Sequence, residues 1–298
     1  MRFLFLSDTH FTCKNGVKNP IWLNRLLIYK WDEIKEKVIA EIKRLNPEAI
    51  IHCGDFTHFG SREDFAYGKE ILDATGIEWY AVPGNHDAFA CDVKDEMRKK
   101  YDMAAGRGFH YSKLFGRIAV LFLDVCAFAD GKHFSIDDST LIWLESFLIE
   151  NSDRLVFLVC HIPIKHRNVI SNNGTLFDND GFITGKLFGR HFDDNIGKIK
   201  NVDKIKKIIR QNAHIKIVFS GHWHINSLYM SNGVYYKIVP SICEYPCEVV
   251  IVDCNDDKIR IYNKALESLN LREDSIIKER NNTWAAGTKE ARDTTILF

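Results

Sequence analysis

The sequence predicts an α/β fold with a largely parallel sheet early in the chain and antiparallel strands towards its end. Up to residue 86, apolar runs typical of buried strands alternate with helical periodicity in the order β-α-β-α-β. This order gives a parallel sheet with right-handed crossovers. Late in the chain, short strand-like runs flank Ser231-Asn232-Gly233 and Asn255-Asp256-Asp257, which are typical of β-hairpins.

Local patterns predict the elements one by one. In chain order we predict strand 3–7, helix 22–45, strand 49–53, helix 61–74, strand 79–82, helix 93–101, strands 109–112 and 117–123, helix 137–150, strand 155–160, helix 202–211, and strands 215–220, 227–230, 234–239, 249–252 and 259–262. The early strands are continuous apolar runs, as expected where both faces of a sheet are covered. The helices show apolar residues at helical spacing, and Asn46-Pro47 ends the first of them.

The chain divides into one large predicted domain, residues 1–264, and a mostly polar tail, residues 265–298, whose structure the pattern leaves open. Within the domain, residues 162–201 are rich in Gly, Asn and Asp and show little apolar periodicity. A loop this long inside a compact domain is typical of a functional lid or of a disordered segment. We therefore expect residues 162–201 to cover a substrate site.

Composition narrows the class of protein only slightly. The 298 residues are 46% hydrophobic and 27% charged, with 40 basic and 40 acidic side chains, so the zero net charge gives no support to attraction by nucleic acid or a membrane surface. No stretch is long and apolar enough to span a bilayer, and the start of the chain lacks a signal-peptide pattern. The eight cysteines form no CxxC pair. We expect a cytoplasmic protein with no membrane partner and buried thiols; its oligomeric state stays open.

Five predicted strands end in side chains that bind metal ions. These side chains are Asp8, His10, Asp55, Asn85, His161, His222 and His224. Carboxylate oxygens and imidazole nitrogens suit divalent or trivalent ions, and two neighbouring ions need a bridging carboxylate. Any one of these residues alone also fits an ordinary turn or a core imidazole. Because open α/β sheets bind ligands at the carboxyl ends of their strands, the joint pattern predicts a two-metal site with Asp55 as the bridge.

A second set of residues offers weaker candidates for substrate contacts. His58 follows Asp55 by three positions and either contacts substrate or is an ordinary polar loop residue. Four further candidates for phosphate or base contacts lie in residues 162–201, where a solvated loop is the alternative: His166, Arg167, Arg190 and His191. His52 and Cys53 lie inside a predicted strand and are expected in the core.

The motifs at the strand ends resemble those of a known family. Asp8-Thr9-His10, Gly54-Asp55, Gly84-Asn85-His86-Asp87, His161 and Gly221-His222-Trp223-His224 are similar, in this order, to the full motif set of the calcineurin-like metallophosphoesterases. The resemblance covers roughly residues 1–255 and is closest to the bacterial class III cyclic-nucleotide phosphodiesterase branch. It implies a four-layer α/β sandwich, two mixed β-sheets flanked by helices, with residues 1–264 as the catalytic domain.

The resemblance also implies a role for each motif residue. It implies two ions (manganese, iron or zinc), the first held by Asp8, His10, Asp55 and His224 and the second by Asp55, Asn85, His161 and His222. A hydroxide held between the ions would attack phosphorus in line. His86 would face the phosphate and stabilise the transition state or protonate the leaving oxygen, and Asp87 would orient His86 through a hydrogen bond that raises its pKa.

The expected function is hydrolysis of a phosphodiester in a small nucleotide-type substrate, with cyclic nucleotides as one candidate. A phosphomonoesterase, a protein phosphatase and a nucleotide-sugar pyrophosphatase share the same metal core and stay open as alternatives. Nucleic acid is disfavoured as a substrate because the chain lacks an evident basic or coiled-coil extension. A non-catalytic scaffold is disfavoured because every ligand position is filled.

Overall fold

A computed structural model shows two mixed β-sheets that pack face to face, with helices on both outer sides. The predicted α/β sandwich of four layers is therefore confirmed. The structure describes residues 1–13, 25–88, 91–101, 108–128, 134–165, 169–170, 176–177, 183–187, 190–194, 199–266 and 285–297.

The strands of the described residues are numbered in chain order. They are β1 (Arg2–Leu6), β2 (Ala49–His52), β3 (Trp79–Ala81), β4 (His110–Phe115), β5 (Ile118–Leu123), β6 (Ala127–Phe128), β7 (Phe134–Ser135), β8 (Leu155–Val159), β9 (Val169–Ile170), β10 (Leu176–Phe177), β11 (Ile183–Leu187), β12 (Arg190–Asp194), β13 (Ile215–Ser220), β14 (Ser227–Ser231), β15 (Val234–Ile238), β16 (Glu248–Cys254), β17 (Lys258–Ala265) and β18 (Asp293–Leu297).

The helices of the described residues alternate with these strands. They are a 3-10 helix at Arg25–Lys30 and the α-helices α1 (Trp31–Leu45), α2 (Arg62–Asp73), α3 (Asn85–Ala88), α4 (Cys91–Lys100), α5 (Asp138–Glu150), α6 (Val202–Gln211) and α7 (Lys289–Arg292). None of the helices in this part of the chain has the length and apolar character that crossing a bilayer would require.

The strand order brings five carboxyl ends to one edge of the molecule. The first sheet has the order β18-β17-β16-β1-β2-β3, and the second has the order β14-β15-β13-β8-β5-β4. Strands β1, β2 and β3 run parallel to one another, as do β8 and β13. Because parallel neighbours end on the same side, the segments after β1, β2 and β3 meet in one sheet, and those after β8 and β13 meet in the other.

Alternation along the strands divides the apolar side chains between two cores. The rings of Phe5 on β1 and Phe219 on β13 stack with their centroids 3.8 Å apart, so they join the two sheets. On β5, Phe122 belongs to this inner core, whereas the next residue, Leu123, belongs to the core formed with α5 and α6. The period of two that places successive side chains on opposite faces thus builds both cores.

The predicted helix at residues 22–45 is, in its described part, two helices. A 3-10 helix at Arg25–Lys30 precedes α1, which begins at Trp31. The indole Nε1 of Trp31 donates to the carbonyl of Thr9 at 2.9 Å, and the ring is buried. This bond ties the start of α1 to the segment that follows β1, where the predicted ligands Asp8 and His10 lie.

The segment predicted as a loop at residues 162–201 contains strands. Strands β9 to β12 form an antiparallel four-stranded sheet in the described part of this segment. Strands of two to five residues among glycines and polar residues offer too few apolar positions for a clear pattern, which explains the wrong prediction. A lid function for residues 162–201 stays a prediction.

The described part of the predicted tail belongs to the first sheet. Strand β18 pairs antiparallel with β17, so that Ile259 lies opposite Ile296, and Ile296 is buried. In front of β18, the hydroxyl of Thr288 caps α7 by accepting from the backbone N–H of Ala291. The predicted domain boundary after residue 264 coincides with the end of β17, at Ala265, and the described part of the tail adds one more strand to the same sheet.

We expect Phe219→Ala to lower the free energy of unfolding by about 3–5 kcal/mol, because it removes a fully buried ring between the two sheets. Chemical denaturation monitored by circular dichroism measures this loss. Ile149→Ala is the control: Ile149 is 76% exposed on α5, so its truncation should change stability by less than about 0.5 kcal/mol. Equal losses for the two variants would contradict the inner core described above.

Candidate metal centre

All seven predicted ligands lie at the edge where the five strands end. Asp8 and His10 follow β1, Asp55 follows β2, Asn85 begins α3 just after β3, His161 follows β8, and His222 and His224 follow β13. Five of the six predicted histidine and aspartate ligands are completely or almost completely buried, including Asp8 and His161 at 0% exposure. The site therefore forms where the two sheets meet.

The backbone turns sharply at five of the seven predicted ligands. Their φ angles are positive: 50° at Asp8, 46° at His10, 51° at Asp55, 71° at His222 and 53° at His224. This left-handed conformation costs a residue other than glycine about 1–2 kcal/mol. Backbone bonds to the neighbouring segment hold it, since Asp8 N donates to Gly54 O and His10 N donates to Asp55 O, both at 3.0 Å. Such strain at several clustered residues is typical of functional sites.

Two motif glycines allow the ligand segments to approach each other. Gly54 has a φ of 94°, and a Cβ added to it would lie 2.6 Å from the Cβ of His161. A Cβ on Gly84 would lie 2.1 Å from the backbone nitrogen of Asp55. Any side chain at these two positions would push His161 or Asp55 out of the site.

One group of ligands comprises Asp8, His10, Asp55 and His224. Their ligand atoms all lie within 4.8 Å of one another. Nε2 of His224 is 3.2 Å from Nε2 of His10 and 3.1 Å from Oδ1 of Asp8. Ligands held at about 2.1 Å from one ion are themselves about 3 Å apart. The spacing and the nitrogen–oxygen donor set of this group thus fit a metal ion.

The other group comprises Asp55, Asn85, His161 and His222. Oδ1 of Asn85 lies 3.0 Å from Nε2 of His161 and 2.9 Å from Nδ1 of His222. Ligand atoms of Asp55, His161 and His222 all lie within 4.8 Å of one another. The spacing of these atoms would suit a second ion, for which the amide oxygen of Asn85 is available as a neutral ligand.

The carboxylate of Asp55 belongs to both groups through a single oxygen. Its Oδ2 lies 3.3 Å from Nε2 of His161 and 3.8 Å from Nε2 of His10. Its Oδ1 accepts a hydrogen bond from the backbone N–H of His86 at 2.8 Å. The bond to Oδ1 orients the carboxylate so that Oδ2 faces both groups, as a bridging ligand requires.

Hydrogen bonds outside the two groups set which ring nitrogen faces the site. Nδ1 of His161 donates to the carbonyl of Cys53 at 2.9 Å, and Nδ1 of His224 donates to Oε1 of Glu244 at 2.8 Å. In both rings this leaves Nε2 towards the other ligands, and such outer partners orient metal-binding imidazoles. Glu244 is buried and was not predicted; an acidic residue inside the otherwise apolar run from Ile242 to Cys247 was the available signal.

Buried carboxylates perturb the pKa values of the histidines. Burial by itself would lower the pKa of His161, but the Asp55 carboxylate raises it to about 9. Burial likewise opposes the charge on His224, yet Glu244 and Asp8 raise its pKa to about 10. Without a metal ion, both imidazoles are therefore protonated on both ring nitrogens at neutral pH. A cation that binds Nε2 would have to displace the proton from that atom.

His86 lies at the partly exposed side of the first group. Its Nδ1 donates to the carbonyl of His58 at 2.7 Å, and its ring meets that of His10 edge-on with centroids 4.6 Å apart. Because Nδ1 is used in this way, Nε2 is the ring atom that a ligand in the site would meet. His10, His58 and His86 also form a third group of ligand-type atoms, within 4.8 Å of one another.

The prediction that Asp87 orients His86 through a hydrogen bond is wrong. Oδ1 of Asp87 accepts from the backbone N–H and the hydroxyl of Thr57, and Oδ2 accepts from the backbone N–H groups of Phe56 and Gly84. Consecutive residues of a helix point in different directions, so Asp87 is buried while His86 is partly exposed. Burial, and then the charge of Asp55, raise the pKa of Asp87 to about 6. Asp87 joins the segments after β2 and β3.

The structure describes only some of the weaker candidates for substrate contacts. His58 is 7% exposed, and its ring stacks on that of His86 with centroids 5.5 Å apart. It therefore packs against one face of the His86 ring. His52 is a core residue, as expected, and burial lowers its pKa to about 3. His166 and Arg167 lie outside the described residues. Arg190 and His191 lie on β12, and the structure describes their backbone only.

A comparison with known families identifies the group to which the chain belongs. The calcineurin-like phosphoesterase model matches residues 1–226, which include both ligand groups and His86. The chain belongs to the calcineurin-like phosphoesterase family. The family resemblance inferred from the motifs is thereby confirmed.

Curated relatives of this phosphoesterase carry two kinds of name. A probable glycerophosphodiester phosphodiesterase of Arcobacter nitrofigilis is 28% identical over 173 residues, which are 55% of this chain and 59% of that protein. A probable cyclic nucleotide phosphodiesterase of Moraxella catarrhalis is 22% identical over 227 residues, which are 74% of this chain and 69% of that protein. The match to the Arcobacter protein thus spans less than two thirds of its length.

A solved structure shares the fold of this phosphoesterase over its whole length. The dimetal phosphatase from Danio rerio superposes with a TM-score of 0.69 at 12% identity, covering 100% of this chain and 98% of that one. At this identity the likeness concerns the fold alone.

We expect manganese binding to the phosphoesterase to release about two protons at pH 7, because His161 and His224 are protonated until a cation displaces their protons. Affinity should therefore rise with pH as long as both imidazoles remain protonated. Calorimetric titration in buffers with different ionisation enthalpies measures the proton count. A binding enthalpy that is the same in every buffer would contradict this prediction.

We expect Glu244→Gln to weaken manganese affinity by about tenfold, since the neutral amide is a poorer acceptor for the Nδ1 proton of His224. Glu41→Gln is a matched control, because Glu41 is also buried but pairs with Arg44 on α1. Dissociation constants from the same titration compare the two variants. Wild-type affinity in Glu244→Gln would rule out a role for Glu244 in orienting His224.

Proposed function

We propose that this phosphoesterase hydrolyses phosphodiester bonds of a small, nucleotide-type substrate with the help of two bound metal ions. The observation that carries the proposal is the position of Asp55, whose Oδ2 faces both ligand groups. Next to that carboxylate, His86 presents its ring at the partly exposed side of the site. Family membership supports the same chemistry.

The residues that would hold the two ions are those of the two ligand groups. Mixed imidazole and carboxylate sites of this kind accept manganese, iron or zinc. When bound, the ions polarise phosphoryl oxygens and lower the pKa of a coordinated water. The protein contributes a rigid arrangement: Cys53 and Glu244 fix the rings of His161 and His224, and the N–H of His86 fixes Asp55.

His86 is the proposed catalytic residue. Its Nδ1–H is bound to the carbonyl of His58, so Nε2 is the atom that would donate a hydrogen bond or a proton to a phosphoryl or leaving oxygen. The ring is held on two sides, by His10 and by the ring of His58. This support keeps the donor in one orientation before substrate binds, which is what general acid catalysis requires.

The names of the curated relatives support a diester rather than a monoester substrate. Both named activities, on glycerophosphodiesters and on cyclic nucleotides, concern phosphodiesters, and they are statements about those proteins. A phosphomonoesterase, a protein phosphatase and a nucleotide-sugar pyrophosphatase remain the alternatives on the same core.

The seven cysteines whose side chains the structure describes are free thiols, which supports the predicted cytoplasmic location.

We expect the manganese-loaded protein to hydrolyse bis-(p-nitrophenyl) phosphate at least about tenfold faster than p-nitrophenyl phosphate. His86→Asn should lower kcat by about a hundredfold or more, because it removes the proton donor, and should leave the metal content at two ions per chain. Release of p-nitrophenol and elemental analysis measure these quantities. A panel of 3′,5′-cyclic AMP and glycerophosphocholine then ranks nucleotide against glycerol diesters.

The control for this experiment is His214→Asn. His214 precedes β13, at the opposite end of that strand from His222 and His224, so its replacement should leave the rate unchanged. A faster rate on the monoester would favour the phosphatase alternative. Absence of turnover on the whole panel, with two ions bound, would favour a scaffold.

A further inference from the structure

The C-terminal segment, residues 285–297, contacts the end of the loop that carries His222 and His224. This loop joins β13 to β14 and ends at Asn226, two residues after His224. The backbone N–H of Asn226 donates to the carbonyl of Ala285 at 2.8 Å, and its Nδ2 donates to the carbonyl of Ala286 at 2.9 Å. Asn226 is only 3% exposed. The contact is therefore buried and uses both the main chain and the side chain of one residue.

Gly287 brings the C-terminal segment unusually close to the loop. Its φ is 72°, and a Cβ added to it would lie 2.2 Å from the carbonyl oxygen of Asn226. A larger residue would be strained in this conformation and would also push the segment away from Asn226. The close approach thus depends on glycine at this position.

Lys237 connects the same contact to three elements. It is fully buried on β15, and its ammonium group donates to Oδ1 of Asn226, to Oδ1 of Asn263 on β17 at 2.9 Å and to the carbonyl of Ala291 in α7 at 2.7 Å. An ammonium group has three hydrogens, and each has an acceptor here. One buried side chain therefore ties the loop, both sheets and the C-terminal segment together.

The C-terminal segment also supplies a positive charge to a buried carboxylate. Glu248 on β16 is fully buried; its Oε1 accepts from the guanidinium of Arg292 in α7, and its Oε2 accepts from Nδ2 of Asn263 at 3.2 Å. Removing Arg292 would take a positive charge away from this buried carboxylate, which is destabilising. The segment is thus bound by charge as well as by the pairing of β18 with β17.

The other end of the loop is bound within the metal centre itself. Gly221 N donates to the carbonyl of His161 at 2.9 Å, and His222 N donates to Oδ2 of Asp8 at 3.1 Å. Between these bonds and Asn226, His222 and His224 both adopt the strained left-handed conformation. Such a conformation persists when the surroundings hold it from both sides.

We propose that residues 285–297 are a positioning element of the metal centre, which acts through Asn226 to hold His222 and His224 in place. This inference rests on the proposed function, because it assigns both histidines to metal binding. The segment touches neither ion site; its effect passes through the hydrogen bonds of Asn226 and the close contact with Gly287.

Asn226→Ala and Gly287→Ala test the contact from its two sides in the full-length protein. We expect both variants to bind manganese at least about tenfold more weakly than wild type, the effect typical of lost outer support. We also expect faster hydrogen exchange in a peptide covering residues 221–226 of the chelator-treated protein. Calorimetry and mass spectrometry measure the two effects.

Gly76→Ala is the matched control for Gly287→Ala. Gly76 has the same φ of 72°, but nothing lies within 4 Å of an added Cβ. The Gly76→Ala substitution therefore introduces the backbone strain without the clash. We expect this variant to be less thermally stable than wild type, with unchanged manganese affinity and an unchanged rate of hydrogen exchange at residues 221–226.

Two results would overturn the proposal. One is manganese affinity in both test variants within about twofold of the Gly76→Ala control; the other is unchanged exchange at residues 221–226. If wild-type protein binds no manganese, the proposed function fails, and the exchange comparison alone then decides whether the segment positions the loop. The exchange of Asn226→Ala decides it even if Gly287→Ala does not fold.

Discussion

The candidate site depends on the different contacts that the two oxygens of the buried Asp55 carboxylate make. Oδ1 accepts the backbone N–H of His86, which fixes the plane of the group, and Oδ2 then faces His10 on one side and His161 on the other. A buried carboxylate is costly unless it is paired and hydrogen-bonded. Burial by itself would raise the pKa of Asp55, but the neighbouring imidazoles, His161 first, lower it, so the carboxylate stays ionised.

Much of the fold and nearly all of the site could be predicted from the sequence. The ligand residues follow apolar runs, and parallel strands bring their carboxyl ends together, so Asp8, Asp55 and His161 were expected at one edge. The motif glycines mark the same places, because only they permit the approaches seen at Gly54 and Gly84. Short-range patterns and topology together were sufficient for these features.

Contacts that depend on tertiary packing could not be predicted. Glu244 meets His224 only after the chain has turned beyond β15, and no local pattern indicates that bond. Asp87 is adjacent to His86 in sequence, but α3 directs the two side chains apart. Strand β18 is short and partly polar, and it becomes recognisable only when β17 offers an edge for pairing. In each case the conformation depends on a contact with another part of the fold, which the local sequence does not reveal.

The stacked rings of Phe5 and Phe219 have a consequence for the chemistry. They lie on strands whose ends carry ligands from opposite sheets: His10 follows β1, and His224 follows β13. The thickness of the apolar core between the sheets thus determines the distance between the side chains that follow β1 and those that follow β13. Because protein interiors are close-packed and resist compression, the apolar interior acts as a spacer, and its thickness sets the distance between the side chains that the two sheets contribute to each ligand group.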